Sequence, residues 1–169
     1  NKEFSSNIFI KAENLQKIGA FKFRGAMNSI LKLDNDKKNV LAWSSGNHAQ
    51  AIASACYLTN KNATIVMPKD SPNAKLNGTK SWGANIVTFD RYSESREEIG
   101  TNLAKEINAE IIPPFDHPDV INGQGTVGYE IINDCKINNL VPDLVLCCCG
   151  GGGLIAGVST AIKAEFSNV

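Results

Sequence analysis

The sequence lacks an excess of charge of either sign and any apolar run long enough to cross a membrane. In its 169 residues, 17 Lys and Arg balance 17 Asp and Glu, so no basic surface for a nucleic acid is indicated. The longest apolar run, LVLCCCGGGGLIAGV, is interrupted by four consecutive glycines and is shorter than a membrane span. We therefore expect neither a nucleic acid nor a membrane as a partner.

Cysteine is sparse, and its pattern is not that of a disulfide framework. There are five cysteines, an odd number, and Cys147, Cys148 and Cys149 are adjacent. Neighbouring strand residues point to opposite faces, so three adjacent thiols are poorly placed to share one metal ion. We expect these cysteines to be small apolar residues on a buried strand, with no metal site in the chain. The absence of a secretory leader and of a disulfide pattern favours a reducing, cytoplasmic location.

Strand-length apolar segments alternate with helix-length segments along the chain. The predicted strands cover residues 7–13, 40–43, 64–68, 85–90, 110–115 and 143–149. The predicted helices cover residues 23–33, 47–58, 72–83, 93–108, 118–137 and 153–166, and the fifth of these is interrupted at NGQG. This repeated strand-then-helix order predicts an α/β fold with parallel sheet.

Four consecutive glycines, residues 150–153, join the last predicted strand to the last predicted helix. Glycine lets the backbone approach a ligand closely, and the first turn of a helix offers free amides to an anion. The sequence therefore predicts a phosphate site, in preference to a merely flexible loop. The run also matches a dinucleotide fingerprint at Gly151, Gly153 and Ala156, but that fingerprint belongs to the first strand–helix turn of its fold, so we disfavour a nicotinamide cofactor.

A second turn of similar chemistry is SSGNHAQ, residues 44–50, between a predicted strand and a predicted helix. Two hydroxyls, a glycine, an amide and an imidazole at a helix N-terminus are typical of an anion-binding turn. Ser45 or Asn47 would serve equally well as a helix cap. From these residues alone both interpretations stay open.

The stretch GAFKFRGA, residues 19–26, places Lys22 between Phe21 and Phe23. Apolar neighbours disfavour the charged ammonium and lower the pKa of a lysine. A neutral amine can attack an aldehyde, and pyridoxal phosphate is the cofactor most often bound to lysine in this way. That cofactor also carries a phosphate, so a single bound molecule would account for both the desolvated lysine and the glycine loop.

Four motifs occur in order, namely GAFKFRGA, SSGNHAQ, PPFDHPDVINGQGT and GGGGLIAG. Together they resemble the pyridoxal-phosphate-dependent serine/threonine dehydratase and serine racemase family, which has the tryptophan synthase β-like fold (fold type II). The resemblance covers nearly the whole chain and implies two parallel-sheet α/β domains with the cofactor between them. It implies a small domain at residues 39–116 and parts of the large domain at residues 1–38 and 117–169. The large domain would be incomplete, as expected of a fragment.

The resemblance also implies a role for each motif. Lys22 would hold the cofactor as a Schiff base and act as a catalytic base, Phe21 would pack against the pyridine ring, and Asn47 would bond the ring's 3′ oxygen. The phosphate would be held by Gly150, Gly151, Gly152, Gly153 and the amide of Leu154. The substrate carboxylate would be surrounded by Ser44, Ser45, Asn47 and His48.

The implied reaction is elimination of water from L-threonine- or L-serine-type β-hydroxy amino acids, which gives a keto acid and ammonium. The alternative is a serine racemase, with or without threo-3-hydroxyaspartate dehydratase activity, in which Ser45 is the catalytic acid on the opposite face. SSGNH favours this alternative, whereas IIPPFDHP with Phe115 favours the threonine dehydratases, and we prefer elimination. A third interpretation is an inactive fragment that binds only the cofactor or a partner chain.

Some members of the family use a divalent cation or a nucleotide as an activator. Lys17, Gln50 and Trp82 correspond to the nucleotide site of the racemases, but the family's acidic cation ligands have no counterpart in this sequence. A small amino-acid substrate and a homo-oligomer, a dimer in the full-length protein, are the expected partners.

Overall fold

The computed structural model describes residues 6–169, in which four strands alternate with the first five of six α-helices. The helices are α1 (Lys22–Leu31), α2 (Asn47–Leu58), α3 (Asn73–Lys80), α4 (Arg96–Glu106), α5 (Pro118–Ile137) and α6 (Gly153–Glu165). The strands are β1 (Asn39–Trp43), β2 (Asn62–Pro68), β3 (Asn85–Phe89) and β4 (Ala109–Ile111). Residues 1–5 of the predicted segment 1–38 lie outside this description.

The four strands form one parallel sheet with the order β3-β2-β1-β4. In the centre, β1 pairs with β2 from Asn39↔Asn62 to Trp43↔Val66, and its other edge pairs with β4. The middle residues of β1 are buried on both faces of the sheet, as parallel sheets require. The predicted α/β class with parallel sheet is confirmed.

Successive residues of β1 pack into two different hydrophobic clusters. Val40 and Ala42 join a cluster that includes residues of α1 and α2, whereas Leu41 packs with Val66 and with Ala104 of α4. This division follows from the alternation of side chains along a strand. The sheet is therefore covered by helices on both faces, with α1 and α2 on one and α4 on the other.

Helices α5 and α6 form a further layer with a third core of Val127, Ile132, Val158 and Ile162. The predicted interruption of α5 at NGQG is wrong, because the helix runs without a break from Pro118 to Ile137. A Cβ added at Gly123 would lie 2.6 Å from the Arg24 carbonyl oxygen of α1. Glycine is present here because α1 and α5 approach closely, which compensates for its low helix propensity.

Two predicted strands, residues 7–13 and 143–149, are not formed, and the expectation that they are strands is wrong. Ile10 is 84% exposed and Leu146 is 87% exposed. Cys148 and Cys149 are exposed and Cys147 is partly exposed, so the expected burial of these thiols is wrong as well. A strand needs a neighbouring strand to bond its amides, and within residues 6–169 the sheet consists of β1 to β4 alone. Val145 and Cys147 instead pack against the core between α5 and α6.

Cross-links contribute nothing to the fold over residues 6–169. All five cysteines there are free. No group of three or more His, Cys, Asp or Glu side chains in the same range is placed to hold a metal ion. None of the helices described combines the length and the apolar character that a membrane span needs.

Candidate active site

The candidate site lies where two neighbouring parallel strands end. The chain leaves β1 at Trp43 into the SSGNHAQ turn, and it leaves β4 at Ile111 into residues 112–115. We call residues 112–115 the bridging segment, because they contact each of the other parts of the site. The carboxyl ends of adjacent parallel strands share one edge of the sheet, which is where α/β proteins bind ligands.

Lys22 is the first residue of α1 and is partly buried. Its Nζ donates a hydrogen bond to the carbonyl oxygen of Pro114 in the bridging segment. The same Nζ lies 5.4 Å from the centroid of the Phe21 ring and 5.9 Å from that of Phe115. Burial lowers the pKa of Lys22, so its amine is neutral more often than that of an exposed lysine.

The first turn of α1 is fixed by Arg24, whose side chain is only 9% exposed. Its guanidinium bonds Glu13 at 2.8 Å and Glu130 of α5 at 2.6 Å. The hydrogen bond from Arg24 is the main reason that the pKa of Glu130 falls to about 2. Sequence reasoning missed this pair of carboxylates, because no local pattern links Arg24 to Glu13, 11 residues away, or to Glu130, 106 residues away.

The glycine run packs directly against Phe115 of the bridging segment. Gly152 has φ +87° and is the N-cap residue of α6, a left-handed conformation that favours glycine. A Cβ on Gly153 would lie 2.9 Å from the Phe115 carbonyl oxygen, and one on Gly151 would overlap the Phe115 ring. The structure therefore brings the Lys22 amine and the glycine run to the same phenylalanine, a shared contact that sequence reasoning did not identify.

The SSGNHAQ turn presents a helix N-terminus without a side-chain cap. The N-cap residue of α2 is Gly46, and no side chain in the described part of the chain caps the helix. The interpretation of Ser45 or Asn47 as the cap is therefore wrong. Ser44 Oγ accepts from the Gly46 amide at 3.1 Å, and Asn47 Oδ1 accepts from Lys75 Nζ at 2.9 Å. Ser45 is exposed beside them. The open first turn of α2 can therefore receive an anion.

His48 is buried, with 3% of its surface exposed. Its Nε2 is 2.9 Å from the carbonyl oxygen of Ile112 in the bridging segment, whereas its Nδ1 is buried and has no hydrogen-bond partner among residues 6–169. Burial, with a smaller contribution from the nearby charge of Lys22, lowers the pKa of His48 to about 4. The imidazole is therefore neutral at neutral pH.

The residues expected from the resemblance to form a nucleotide site are only partly brought together. Lys17 Nζ lies 6.0 Å from the centroid of the Trp82 ring and 5.8 Å from that of Phe23. Gln50 lies against Gly78 of α3, where an added Cβ would come within 3.0 Å of its side chain.

The chemistry of this arrangement fits pyridoxal phosphate. The lowered pKa of Lys22 suits an amine that must attack an aldehyde. The first turn of α6 offers backbone amides and the positive end of a helix dipole to a phosphate. Phe115 packs so closely on Gly151 and Gly153 that a side chain at either position would clash with it. The unpartnered Nδ1 of His48 is a buried polar atom of the kind that clusters at functional sites.

Comparison with known proteins gives one family and several relatives. A family model described as pyridoxal-phosphate dependent enzyme matches residues 1–169. The chain is 48% identical to an L-threo-3-hydroxyaspartate ammonia-lyase of Saccharomyces cerevisiae, with 97% of this chain and 50% of the relative covered. It is 44% identical to a serine racemase of Schizosaccharomyces pombe, with 96% and 50% covered.

Solved structures show the same likeness. The processed form of threonine deaminase isoform 2 from Solanum lycopersicum matches with a TM-score of 0.87 and 36% identity, over 99% of this chain and 46% of that one. The chain thus spans about half the length of the curated relatives it matches. The tryptophan synthase β-like fold, represented here by part of its length, is confirmed.

Proposed function

The chain belongs to the family of pyridoxal-phosphate dependent enzymes, and on this premise we propose that the protein is an ammonia-lyase. The reaction would eliminate water from L-threonine- or L-serine-type β-hydroxy amino acids to give a keto acid and ammonium. The observation that carries the proposal is the partly buried Lys22 amine beside Phe115, the residue on which the glycine-capped start of α6 also packs. The names of the hydroxyaspartate ammonia-lyase and threonine deaminase relatives support it.

The cofactor would be held by residues of three elements. Lys22 would hold it covalently, with Phe21 against its ring and Asn47 at its 3′ oxygen, and its phosphate would be held by Gly150, Gly151, Gly152, Gly153 and Leu154. When bound, pyridoxal phosphate supplies a ring that stabilises negative charge at the substrate Cα.

The substrate carboxylate would lie at the first turn of α2, where Ser44, Ser45, Asn47 and the backbone amide of His48 are available. Lys22 Nζ would then take the proton from the substrate Cα as the general base. Its lowered pKa favours the free amine that this transfer needs. The Cα–H and Cβ–O bonds break, and the hydroxyl leaves as water. The released enamine takes a proton at Cβ, and water then hydrolyses the resulting imine, which breaks the C–N bond and gives the keto acid and ammonium.

A serine racemase is the second candidate, favoured by the exposed Ser45 in the turn after β1. In this reaction a proton is removed at one face of the substrate Cα and returned at the other. Ser45 would be the acid opposite Lys22. The serine racemase relative of Schizosaccharomyces pombe supports this candidate.

The remaining expectations complete the proposal. Residues 39–116, which contain the whole parallel sheet, would form the small domain, and residues 1–38 and 117–169 would belong to the large domain. A small amino acid is the proposed substrate, the full-length protein is expected to be a homodimer, and its free cysteines suit a cytoplasmic location.

The covalent role of Lys22 is tested by reduction. The chain is incubated with pyridoxal phosphate and borohydride, and the modified peptide is located by mass spectrometry. We expect one adduct, on Lys22, which Lys22→Ala abolishes and Lys80→Ala, at an exposed lysine of α3, retains. An adduct on another lysine, or none, would refute the proposal.

The reaction is tested by product analysis. Protein loaded with pyridoxal phosphate, and not treated with borohydride, is incubated with L-serine and with L-threonine. Keto acid formed faster than D-serine supports elimination, and D-serine formed faster supports the racemase. Bound cofactor without either product identifies an inactive fragment.

A further inference from the structure

The bridging segment has an anchor on each side of the candidate site. The carbonyl oxygen of Pro114 accepts a hydrogen bond from the Lys22 amine. Phe115 packs on the glycine run. Ile112, at the start of the segment, is bonded to Leu41 of β1 through its amide at 3.0 Å and to His48 through its carbonyl at 2.9 Å.

The bond to Ile112 fixes the tautomer of His48. A carbonyl oxygen can only accept a hydrogen bond, so Nε2 must carry the proton. A neutral imidazole has one N–H, and burial keeps this one neutral by lowering its pKa to about 4. Nδ1 is therefore an acceptor only, and the side chain has no second N–H to donate to a substrate carboxylate.

Because its one N–H is already bonded to Ile112, the imidazole cannot donate a hydrogen bond to an anion, and it has a different role. We propose that His48 is a positioning residue, whose imidazole holds the bridging segment so that the Pro114 carbonyl meets the Lys22 amine and Phe115 lies against the glycine run. The inference deepens the proposed function and rests on it. Any contact of His48 with the carboxylate would be made by its backbone amide, at the start of α2.

The position of His48 explains why a donor at this distance from Cα is needed there. The Nε2 atom lies four bonds from Cα, far enough to cross from α2 to the carbonyl of Ile112 beyond β4. Pro113 and Pro114 have no amide hydrogen and fixed φ angles, so the segment gains few backbone hydrogen bonds of its own. The bond from His48 is therefore a main restraint on its start.

The test uses two substitutions that differ in reach. In His48→Gln the amide nitrogen is also four bonds from Cα and can donate to the Ile112 carbonyl, whereas in His48→Asn it is one bond too short. Ser54→Ala is the matched control, since the buried Ser54 hydroxyl bonds only Ala51 of its own helix α2. All three are made in the full chain, and circular dichroism establishes that each is folded.

The first measurement is the pKa of Lys22 in cofactor-free protein, taken from the pH dependence of its acylation relative to Lys80. Because burial is what lowers this pKa, release of the bridging segment should solvate the amine and raise the pKa towards the ordinary lysine value. We expect the rise in His48→Asn, and values like the wild type in His48→Gln and Ser54→Ala. A purely structural role would lower the stability of both His48 variants and leave the pKa of Lys22 unchanged.

The second measurement is the affinity for pyridoxal phosphate. We expect His48→Asn to bind about tenfold more weakly than His48→Gln, the equivalent of one hydrogen bond. Equal pKa and affinity in the two variants would overturn the positioning role. Failure of the proposed function is separate, because it would be seen as the absence of a Lys22 adduct in the wild-type protein.

Discussion

At the scale of single residues, Phe115 contacts both Lys22 and the glycine run. Its ring lies 5.9 Å from Lys22 Nζ, and both its ring and its backbone limit the space at Gly151 and Gly153. The residue is 40% exposed, so it is not held by burial in a core. Its position depends on the two prolines before it and on the glycines that let it approach the start of α6.

A methyl group added to the glycine run should therefore have an effect that depends on its position. In Gly153→Ala the new Cβ meets the backbone of Phe115 at 2.9 Å, and a backbone cannot move aside by changing rotamer. We expect a loss of about 1–3 kcal/mol in the free energy of unfolding and a loss of affinity for pyridoxal phosphate. Both are measured by titration, with urea and with the cofactor.

Gly150→Ala is the comparison for this prediction. A Cβ at Gly150 meets no atom within 4 Å, and the two substitutions restrict the unfolded chain to the same extent. The loss in stability should be clearly larger for Gly153→Ala. Equal losses would mean that contact with Phe115 is unimportant.

At the scale of secondary-structure elements, the packing of α5 on α6 depends on glycines. A Cβ on Gly157 of α6 would lie 2.5 Å from the amide nitrogen of Gly125 in α5, and it would also meet the carbonyl oxygen of Ile121. The backbones of the two helices touch at this crossing. The start of α6, which carries the predicted phosphate site, is thereby held in place by α5.

Gly157→Ala sets helix propensity against this packing. Alanine should favour an isolated helix by about 1 kcal/mol, but the clash with α5 should cost about 1–3 kcal/mol and cannot be relieved by a side chain. We expect a net fall in the free energy of unfolding, measured by urea denaturation. Ser159→Ala on the exposed side of α6 should change it by less than about 0.5 kcal/mol. A stabilised Gly157→Ala variant would contradict this packing.

These contacts show what could be predicted from the sequence and what could not. The helix 47–58 was predicted to the residue, because an alanine-rich segment after a polar turn is a local signal. The pairing of Ser95 with the amide of Glu98 at 3.2 Å is equally local and is a typical helix start. NGQG was misinterpreted because glycine interrupts a helix by propensity, while the helix that compensates lies elsewhere in the sequence.

The same distinction applies to the candidate site. Motif chemistry identified Lys22 and the glycine run, which the structure brings to one phenylalanine. Two sets of contacts could not be predicted, because no local sequence pattern relates their partners. They are the hydrogen bond from His48 to Ile112 and the ion pairs of Arg24 with Glu13 and Glu130. Residues 143–149 have an apolar pattern typical of a strand, yet a pattern alone does not provide the neighbour that a strand must bond.

At the scale of the whole molecule, two apolar segments remain uncovered. Residues 8–10 and 144–146 expose Ile8, Phe9, Ile10, Leu144 and Leu146. Exposed apolar segments with unpaired amides are templates for association with other chains. The molecule therefore carries, on the described residues, a surface suited to contact with further polypeptide.

We expect this chain to self-associate at micromolar concentration through these segments. Leu146→Lys places a charge on a side chain that is 87% exposed, so it should shift the protein towards the monomer without loss of helix content. Light scattering and circular dichroism measure the two effects. Tyr92→Lys, at a side chain 89% exposed outside both segments, should leave association unchanged; an equal effect of both changes would contradict the assignment.

Because the four strands run in the same direction, all of them begin at one rim of the sheet and end at the other, where the candidate site lies. The chain enters the sheet at Asn39, Asn62, Asn85 and Ala109 and always departs at the rim where Ser44 and Ile112 lie. Five residues of β1, about 16 Å of extended chain, stand between the rims. A spectroscopic probe or an inserted peptide at the turn near Asn60 would thus sit on the entry rim, where protein engineers could alter the chain while the chemistry proceeds at the opposite end.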